Sequence, residues 1–311
     1  MNQNVAMMMA LTKVKGLGPK TLLPYIKGVT LSDVDKTYHL LTQIRAEHSR
    51  IKEIPSYNEF CESVKEAQDC LNKQEQLGIK AIGYGEKDYP SGFKELAKPP
   101  MYFFYKGNKE ALFRDGIAVI GTRNVTPYTE KVGEHMGKYL AKKKWTVISG
   151  LAIGSDASGH RGCLEGNGVT VAIVGTPLDT VYPKKNAPLQ EELLKKGGCV
   201  ISEYPIGTPF IARHLVERDR LQSGLAKGVF VIATGEKGGT WNAINEAVSL
   251  EKPIAFFDYT KSKYNDKADE HTQGMDKMIK AGAKGVYHSI EIDKFLKQCA
   301  RQKEYVTSLF R

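Results

Sequence analysis

The stretch IAVIGTRNVTPY holds the residue types best suited to bind an anion. Its first four residues, 117–120, predict a buried strand, Gly121-Thr122-Arg123 follow, and a helical pattern begins near Tyr128. A parallel strand that ends at glycine and leads into a helix leaves backbone N–H groups free at its carboxyl end. Thr122 adds a hydroxyl, and Arg123 adds a forked cation that suits a phosphate. The sequence therefore predicts a phosphate site at this turn.

The same succession of strand, glycine-rich turn and helix recurs further along the chain. Turns of this kind follow the predicted strands 145–149, 169–174, 199–203 and 228–233. Ligands of a parallel sheet bind beyond the carboxyl ends of its strands, so these turns can converge on one edge. We expect Asp156 to cap the helix after the first of them. The other candidate phosphate-binding residues of this edge are Gly150, Gly154, Lys184, Asn186, Arg218, Arg220, Lys237, Gly238, Gly239 and Thr240.

Motifs of known enzymes are scarce in this sequence. The dinucleotide fingerprint G-x-G-x-x-G and the pattern G-x-x-x-x-G-K-[ST] are both absent, which argues against an NAD enzyme and an NTPase. His160 is a candidate general base, with Asp179 and Glu203 in nearby turns, but a hydrogen-bonded structural histidine is the favoured interpretation. The five cysteines show no C-x-x-C spacing, which predicts reduced thiols. We therefore predict no catalytic residues, no cofactor and no metal.

Candidate strands alternate with candidate helices from residue 116 onward. The first strand is predicted to extend over 117–121, one further strand is predicted at 253–257, and a last surface helix is predicted at 291–305. Candidate helices lie near 128–143, 157–166, 187–196, 213–226, 240–250 and 272–281. Apolar strands separated by helices are typical of a parallel sheet covered on both faces. The predicted fold class is α/β, a Rossmann-like parallel sheet with helices on both faces, preceded by a small helical domain.

A glycine-rich turn also interrupts the helical pattern near the N-terminus. Gly16-Leu17-Gly18 separates two apolar stretches, as in a helix-hairpin-helix, a motif in which backbone N–H groups can contact DNA phosphate. The alternative is a tight turn in a small helical cap. We favour that alternative because Pro24 falls where the second helix should continue.

The region between this turn and the predicted sheet completes the domain assignment. An amphipathic helix is predicted at 58–78, and the connector 80–108 contains one predicted strand, 101–105, whose aromatic residues we assign to the core. The predicted domains are a helical cap of helix-hairpin-helix or SAM-like type, 1–80, and a Rossmann-like domain, 81–311.

The charge balance of the chain favours an anionic partner. The 311 residues carry a formal net charge of +10, and an excess of Lys and Arg suits nucleic acid, although a solvated basic surface is the alternative. Tyr128 or Trp241 could stack a base, and Trp241 could equally belong to the core. No apolar run approaches the roughly 20 residues of a membrane helix. The N-terminus also lacks the pattern of a signal peptide, so we expect a cytoplasmic protein.

Several motifs, in this order, resemble the DNA-processing protein A (DprA/Smf) family over residues from about 80 to 257. They are GTR followed by PY, SGLAIGSDASGHRG, VAIVGTPLDTVYPKKN, VISEYPIGTP and ERDRLQSGLAKGVFVIA. The resemblance implies a nucleotide-free, non-enzymatic protein that binds single-stranded DNA and forms a homodimer. It further implies that the protein loads RecA recombinase during DNA recombination and during the natural transformation of cells in the state of competence.

The resemblance also assigns roles to individual residues. Arg123 stands at the arginine of the family's G-S-R motif, and Lys184 stands at its pocket lysine. Arg218 and Arg220 stand at the outer positions of its R-N-R motif. Asp219 replaces the asparagine between them, which places an acid beside the predicted phosphate site. The chain is thus identified as a divergent member of the family.

A second departure leaves an alternative function open. Gly238-Gly239-Thr240 stand where the family has S-G-S, and with Glu246 they resemble the G-G-x-G-T-x-x-E motif of nucleoside-monophosphate hydrolases, with altered spacing. The alternative to a DNA-binding protein is therefore a nucleotide-binding sensor or such a hydrolase of the same superfamily.

Overall fold

The computed structural model describes residues 2–262 and 272–308, with side chains as far as residue 301. The chain forms two compact units. The first comprises Met1–Lys106, Pro177–Asp179 and Ile201–Pro209, and the second comprises Gly107–Thr176, Thr180–Val200 and Phe210–Arg311. The division into domains at residue 80 stays a prediction.

Four helices begin the first unit: α1 Gln3–Thr12, α2 Pro19–Ile26, α3 Val34–Glu47 and α4 Tyr57–Gln76. Helix α4 is the predicted amphipathic helix, and Ser56 and Glu59 form a capping box at its start. Its fully buried Phe60 belongs to the core of this unit. Helix α2 continues through Pro24, so the expectation that this proline ends the helix is wrong. In so short a helix the proline removes only one backbone hydrogen bond, the one to Lys20.

The connector of the first unit contains two strands where the sequence predicts one. Strands β1 Lys80–Gly83 and β2 Tyr102–Gly107 are antiparallel, and the short helix α5 Ser91–Lys94 lies between them in the chain. Strand β1 is difficult to recognise because its four residues, KAIG, include only two apolar side chains before a glycine. Phe103 and Phe104 of β2 are fully buried, which confirms the assignment of these aromatics to the core.

All six strands predicted after residue 116 are present, together with a seventh of two residues. They are β3 Gly116–Ile120, β4 Thr146–Ser149, β5 Thr170–Ile173, β6 Cys199–Ser202, β7 Gly228–Val231, β8 Ile254–Phe257 and β9 Gly285–Val286. Their order is β6-β5-β4-β3-β7-β8-β9. Ile117 of β3 lies opposite Val147 of β4 and Gly228 of β7, and both pairings are parallel. The strand order reverses at β3, so its carboxyl end is a topological switch point, where sheets of this type bind ligands.

Helices connect the strands of the second unit: α6 Pro127–Lys142, α7 Ser155–Glu165, α8 Ala187–Lys195, α9 Ala212–Glu217, α10 Asp219–Leu225, α11 Thr240–Ser249, α12 Gln273–Lys280 and α13 Ser289–Ser308. The helix predicted at 213–226 is divided into α9 and α10 at Arg218. Helices α6 and α7 approach closely, since a Cβ at Gly162 would lie only 1.9 Å from the Glu134 carbonyl oxygen. With a mostly parallel sheet and these helices, the predicted α/β, Rossmann-like fold class is confirmed.

Three general features of the described part of the chain bear on function. None of its helices combines the length and apolar character needed to cross a membrane. No group of three or more His, Cys, Asp or Glu residues within it could hold a metal ion. All five cysteines are free thiols, and Cys163, Cys199 and Cys299 are buried.

Candidate phosphate-binding groove

A groove of about 650 Å³ lies at the switch point of the second unit. The turn after β3 forms one part of its wall, the turn between β7 and α11 forms another, and helices α9 and α10 complete it. Eight of the thirteen predicted phosphate-binding residues line this groove: Gly121, Thr122, Arg123, Arg218, Lys237, Gly238, Gly239 and Thr240. The two turns are joined by a hydrogen bond from the Thr122 amide to the Ala233 carbonyl, 2.8 Å.

Two exposed cations, Arg123 and Lys237, lie in the turns after β3 and β7 that line the groove. Within the described part of the chain, neither forms an ion pair or a side-chain hydrogen bond. A third cation is the buried Arg218, and the acidic residues of the lining are Asp156, Asp219 and Glu236. Glu236 lies 3.5 Å from the ammonium of Lys277. The cations able to meet an anionic ligand are therefore Arg123 and Lys237.

The N-terminus of α11 presents accessible backbone to the groove. A Cβ placed on Gly238 or Gly239 would meet no atom within 4 Å, so a ligand can approach the main chain closely there. Gly239 precedes the helix and supplies no side-chain cap. The amides of Gly239 and Thr240 donate to none of the described residues. Free N–H groups at the positive end of a helix are well suited to a phosphate.

The floor of the groove is a buried charge cluster around Arg218. Arg218 is only 4% exposed, and its Nη1 donates to the Ile173 carbonyl at 2.8 Å. Its Nη2 lies 3.7 Å from Asp156 Oδ2. Its Nε lies 3.2 Å from Asp219 Oδ1, a charge contact whose angle falls short of a hydrogen bond. The sequence assigned Arg218 to the phosphate-binding residues of the sheet edge, whereas in the structure two acidic neighbours and a carbonyl hold its side chain inside the protein.

Asp156 has a different role from the predicted one. It is the second residue of α7 and does not cap the helix, because Gly154 occupies the N-cap position. Its Oδ2 instead accepts hydrogen bonds from the amides of Gly150, at 3.1 Å, and Ala152, at 3.4 Å. Asp156 thereby fixes the turn after β4 and counters the charge of Arg218.

Burial controls the protonation of the acidic and basic groups around this cluster. Desolvation raises the pKa of Asp219 to about 6, against the opposing effect of Arg218. Desolvation also raises the pKa of Asp156, and Arg218 again opposes it. The pKa of the fully buried His160 falls to about 3 by desolvation, and its Nδ1 lies 2.6 Å from Thr170 Oγ1. His160 is therefore a neutral structural residue at physiological pH, as the favoured interpretation of the sequence proposed.

Three further predicted residues pack closely against neighbouring turns and do not line this groove. A Cβ on Gly150 would lie 1.4 Å from Arg218 Nη1, so the guanidinium occupies the place that the sequence assigned to a ligand. Gly154 has a positive φ of 80°, and a Cβ there would lie 2.4 Å from the Arg123 carbonyl oxygen. Asn186 is buried and donates to the Leu151 carbonyl at 2.8 Å.

The last two predicted residues lie outside the groove lining. Lys184 is exposed at the start of a short 3-10 helix, Lys184–Asn186. Arg220 is half-buried, and its Nη1 donates to the Glu217 carbonyl at 2.8 Å. A role of either residue in binding stays a prediction.

Several groove residues were not predicted from the sequence. Leu215 and Val216 of α9 and Gln222 of α10 line one wall, and Thr234 lies near the start of the turn after β7. The sequence does contain a pattern that indicates this wall, because Leu215, Asp219 and Gln222 recur at intervals of four and three residues and share one helical face. The division into two helices at Arg218 made that face harder to recognise.

The two candidate stacking residues lie outside the lining of this groove. The Tyr128 hydroxyl lies 2.6 Å from Ser262 Oγ, and its ring lines a separate apolar groove with Met136 and Ile292. Trp241 is half-buried, and its Nε1 donates to the Gly235 carbonyl at 3.0 Å. The polar end of Trp241 is thus used to hold the turn before α11.

The carboxylate of the hydrolase-like motif is likewise absent from the groove lining. Glu246 lies in α11 and is half-buried, while the carboxylates that do line the groove belong to Asp156, Asp219 and Glu236. A hydrolase would need a carboxylate beside the reacting sugar carbon. Of the three lining acids, Asp156 and Asp219 are paired with Arg218.

The fold and the groove define a Rossmann-like α/β protein with a candidate anion site at the switch point. The family model of DNA recombination-mediator protein A matches residues 80–299, and the chain belongs to this DprA/Smf family. It is 30% identical over 244 residues to the DNA processing protein DprA of Bacillus subtilis, covering 78% of this chain and 80% of the relative. It is 36% identical over 176 residues to the protein Smf of Escherichia coli, covering 57% of this chain and 47% of that protein.

Two solved structures share the fold at 24% sequence identity. The X-ray structure of DNA processing protein A from Streptococcus pneumoniae aligns with a TM-score of 0.73, covering 92% of this chain and 96% of that one. The DNA processing protein A of Helicobacter pylori, described for its unique single-stranded DNA binding mode, aligns with a TM-score of 0.62 over 70% of this chain and 96% of that one.

Proposed function

We propose that this protein binds single-stranded DNA by its phosphate backbone, as a recombination mediator that does not turn over its ligand. The observation that carries the proposal is the combination of exposed Arg123 and Lys237 with the open N-terminus of α11 in one groove. Lys and Arg neutralise phosphates and release counterions, while backbone N–H groups add hydrogen bonds. Membership of the DNA recombination-mediator family supports the same function.

The partners that we infer for this protein are those implied by its resemblance to the DprA/Smf family. We infer that the DNA complex receives RecA recombinase in the cytoplasm, during recombination that includes natural transformation. A second copy of this chain covers the apolar groove of about 650 Å³ lined by Tyr128, Met136 and Ile292. Ile290, 64% exposed and two residues from Ile292, supplies an apolar side chain for such a contact. A homodimer would give two DNA grooves to one assembly.

Titration with a labelled strand, the matching duplex and a panel of mononucleotides tests the function. We expect the single strand to bind more tightly than the duplex. The logarithm of its affinity should fall with the logarithm of salt concentration, with a slope of about −0.7 for each phosphate neutralised. A preference for duplex, or an affinity that salt leaves unchanged, would contradict the proposal. Tighter binding of a mononucleotide than of the strand would favour the nucleotide sensor.

Arg123→Ala is expected to weaken single-strand binding about tenfold, which corresponds to about 1.4 kcal/mol. The guanidinium can hold one phosphate with two charge-assisted hydrogen bonds, and its exposure limits the gain. The melting temperature should stay unchanged, because Arg123 pairs with none of the described residues. Arg123→Lys should recover part of the affinity.

A matched control for this variant is Arg114→Ala. Arg114 is also exposed, but it precedes β3, whereas Arg123 follows the strand. Binding that falls equally in both variants would reflect lost net charge alone. A lowered melting temperature with unchanged binding in Arg123→Ala would assign Arg123 to the turn and remove it from the site.

A further inference from the structure

An exposed aromatic pair lies beside the phosphate-binding groove. Tyr182 is 43% exposed and Phe210 is 51% exposed, and their ring centroids are 4.7 Å apart at an angle of 43°. Tyr182 comes from the turn after β5, and Phe210 precedes α9. We refer to these two rings as the aromatic platform. Large aromatic surfaces left in water are costly, so a contiguous exposed pair points to a ligand.

The aromatic platform is continuous with the phosphate-binding groove. Tyr182 lines a small cleft of about 90 Å³ together with Ile153, Arg123 and Arg218. Arg123 and Arg218 also line the phosphate-binding groove, so the two cavities share a wall. A chain of phosphates held at Arg123 would thus bring attached groups to the face of Tyr182.

Exposed apolar side chains are concentrated in this region. Of the eleven large hydrophobic residues exposed in the described part of the chain, five belong to it. They are Ile153, Tyr182, Phe210, Ile211 and Val216. The same region carries exposed cations, since Lys184 and Lys185 follow Tyr182-Pro183 directly. Flat apolar surface bordered by cations matches a nucleobase attached to a phosphate chain, and matches an apolar protein surface less well.

We propose that the aromatic platform stacks bases of the single strand whose phosphates occupy the groove. This inference rests on the proposed function and adds a base-binding subsite to it. Stacking requires a free base face, which a single strand offers and a paired duplex hides. Every base has such a face, so binding should depend on the presence of a base and only weakly on its identity.

The test compares two strands with equal numbers of phosphates. One is an oligo-dT strand, and the other carries abasic sites in place of all its bases. The wild-type protein should bind the dT strand about tenfold more tightly than the abasic strand at the same salt concentration, as expected for stacking on an aromatic side chain. Equal affinity for the two would overturn the base subsite while leaving backbone binding, the proposed function, intact. If the protein binds neither strand, both the base-binding subsite and the proposed function would be contradicted.

Phe210→Ala then locates the subsite. We expect it to lose about tenfold in affinity for the dT strand and to leave the abasic strand unaffected, with Tyr182→Ala behaving alike. The control is Phe113→Ala, because Phe113 is 45% exposed and lies before β3, away from the lining of both cavities. Equal losses on both strands would overturn stacking. So would unchanged DNA binding combined with a changed oligomeric state in gel filtration, which would identify the platform as a protein interface.

Discussion

Arg218→Met is expected to lower the free energy of unfolding by about 3–5 kcal/mol, the range for removing one partner of a buried ion pair. Methionine keeps much of the side-chain volume, so the effect isolates the loss of charge and of the hydrogen bond to Ile173. Arg218 is 4% exposed, and without it the carboxylates of Asp156 and Asp219 would face each other with no cation between them. Urea denaturation followed by circular dichroism measures the change.

The sign of the pH dependence distinguishes this explanation from a packing defect. Without Arg218 the two carboxyl groups should bind protons more readily, so the destabilisation should be smaller at about pH 5 than at about pH 8. Arg213→Ala is the control, because its exposed ion pair with Glu217 contributes little. A loss that is equal at both pH values would show that lost packing dominates. A change below about 1 kcal/mol would contradict the role of Arg218 as the centre of the cluster.

The sequence predicted the sheet well because its signal is local. The apolar run of β3 is buried along its whole length, and the glycine that follows it ends the strand as the residue type indicates. The short strand β9 was missed because two residues, Gly285 and Val286, carry no recognisable pattern. Its pairing with β8 depends on residues distant in the chain.

The candidate site was harder to predict than the fold. A glycine after a strand indicates close approach of some atom, but it does not distinguish a ligand from another side chain. At Gly150 the approaching group is the guanidinium of Arg218, whereas Gly238 and Gly239 face open space. An arginine in a motif is equally ambiguous. Arg123 is exposed and Arg218 is buried, and the difference depends on Asp156, which is distant in the chain from Arg218.

The aromatic platform was also difficult to predict from the sequence. Tyr182 and Phe210 stand in loops rich in proline and glycine, and their separation in sequence hides their contact. The stacking candidates that the sequence indicates, Tyr128 and Trp241, lie near the predicted turns, and their polar groups pair with Ser262 and Gly235. Tertiary contact, and not residue type, decides which aromatic ring remains exposed.

Asp219→Asn is expected to raise the affinity for single-stranded DNA about thirtyfold at about pH 8, and to remove a pH dependence that the wild-type protein should show. Asp219 lines the groove, and its pKa is raised to about 6 from the ordinary 3.8, chiefly by burial. Above that pKa the carboxylate is charged and repels a bound phosphate. Below it the carboxyl group is neutral, so wild-type affinity should fall as the pH rises through about 6 and then level off.

The size of this effect follows from Coulomb's law. Unit charges roughly 8 Å apart, at an effective dielectric constant of about 20, repel by about 2 kcal/mol, which is about thirtyfold in affinity. The charged groups that act on Asp219 are Arg218 and Arg123, which lower its pKa, and Asp156, which raises it. The side-chain amide that Asp219→Asn introduces is neutral at every pH, so the variant should bind with the affinity of the protonated wild type throughout.

A strand without terminal phosphates is the appropriate probe, because internal phosphodiesters keep their charge between about pH 5 and 8. Fluorescence anisotropy titrations of wild type and Asp219→Asn across that range, at constant ionic strength, would give two profiles that meet at low pH and diverge above the pKa of about 6. Parallel profiles would assign the pH dependence to another group. An affinity that Asp219→Asn leaves unchanged at the high end of the range would mean that the phosphates lie far from Asp219. The strand would then run along Arg123 and the platform without entering the floor of the groove.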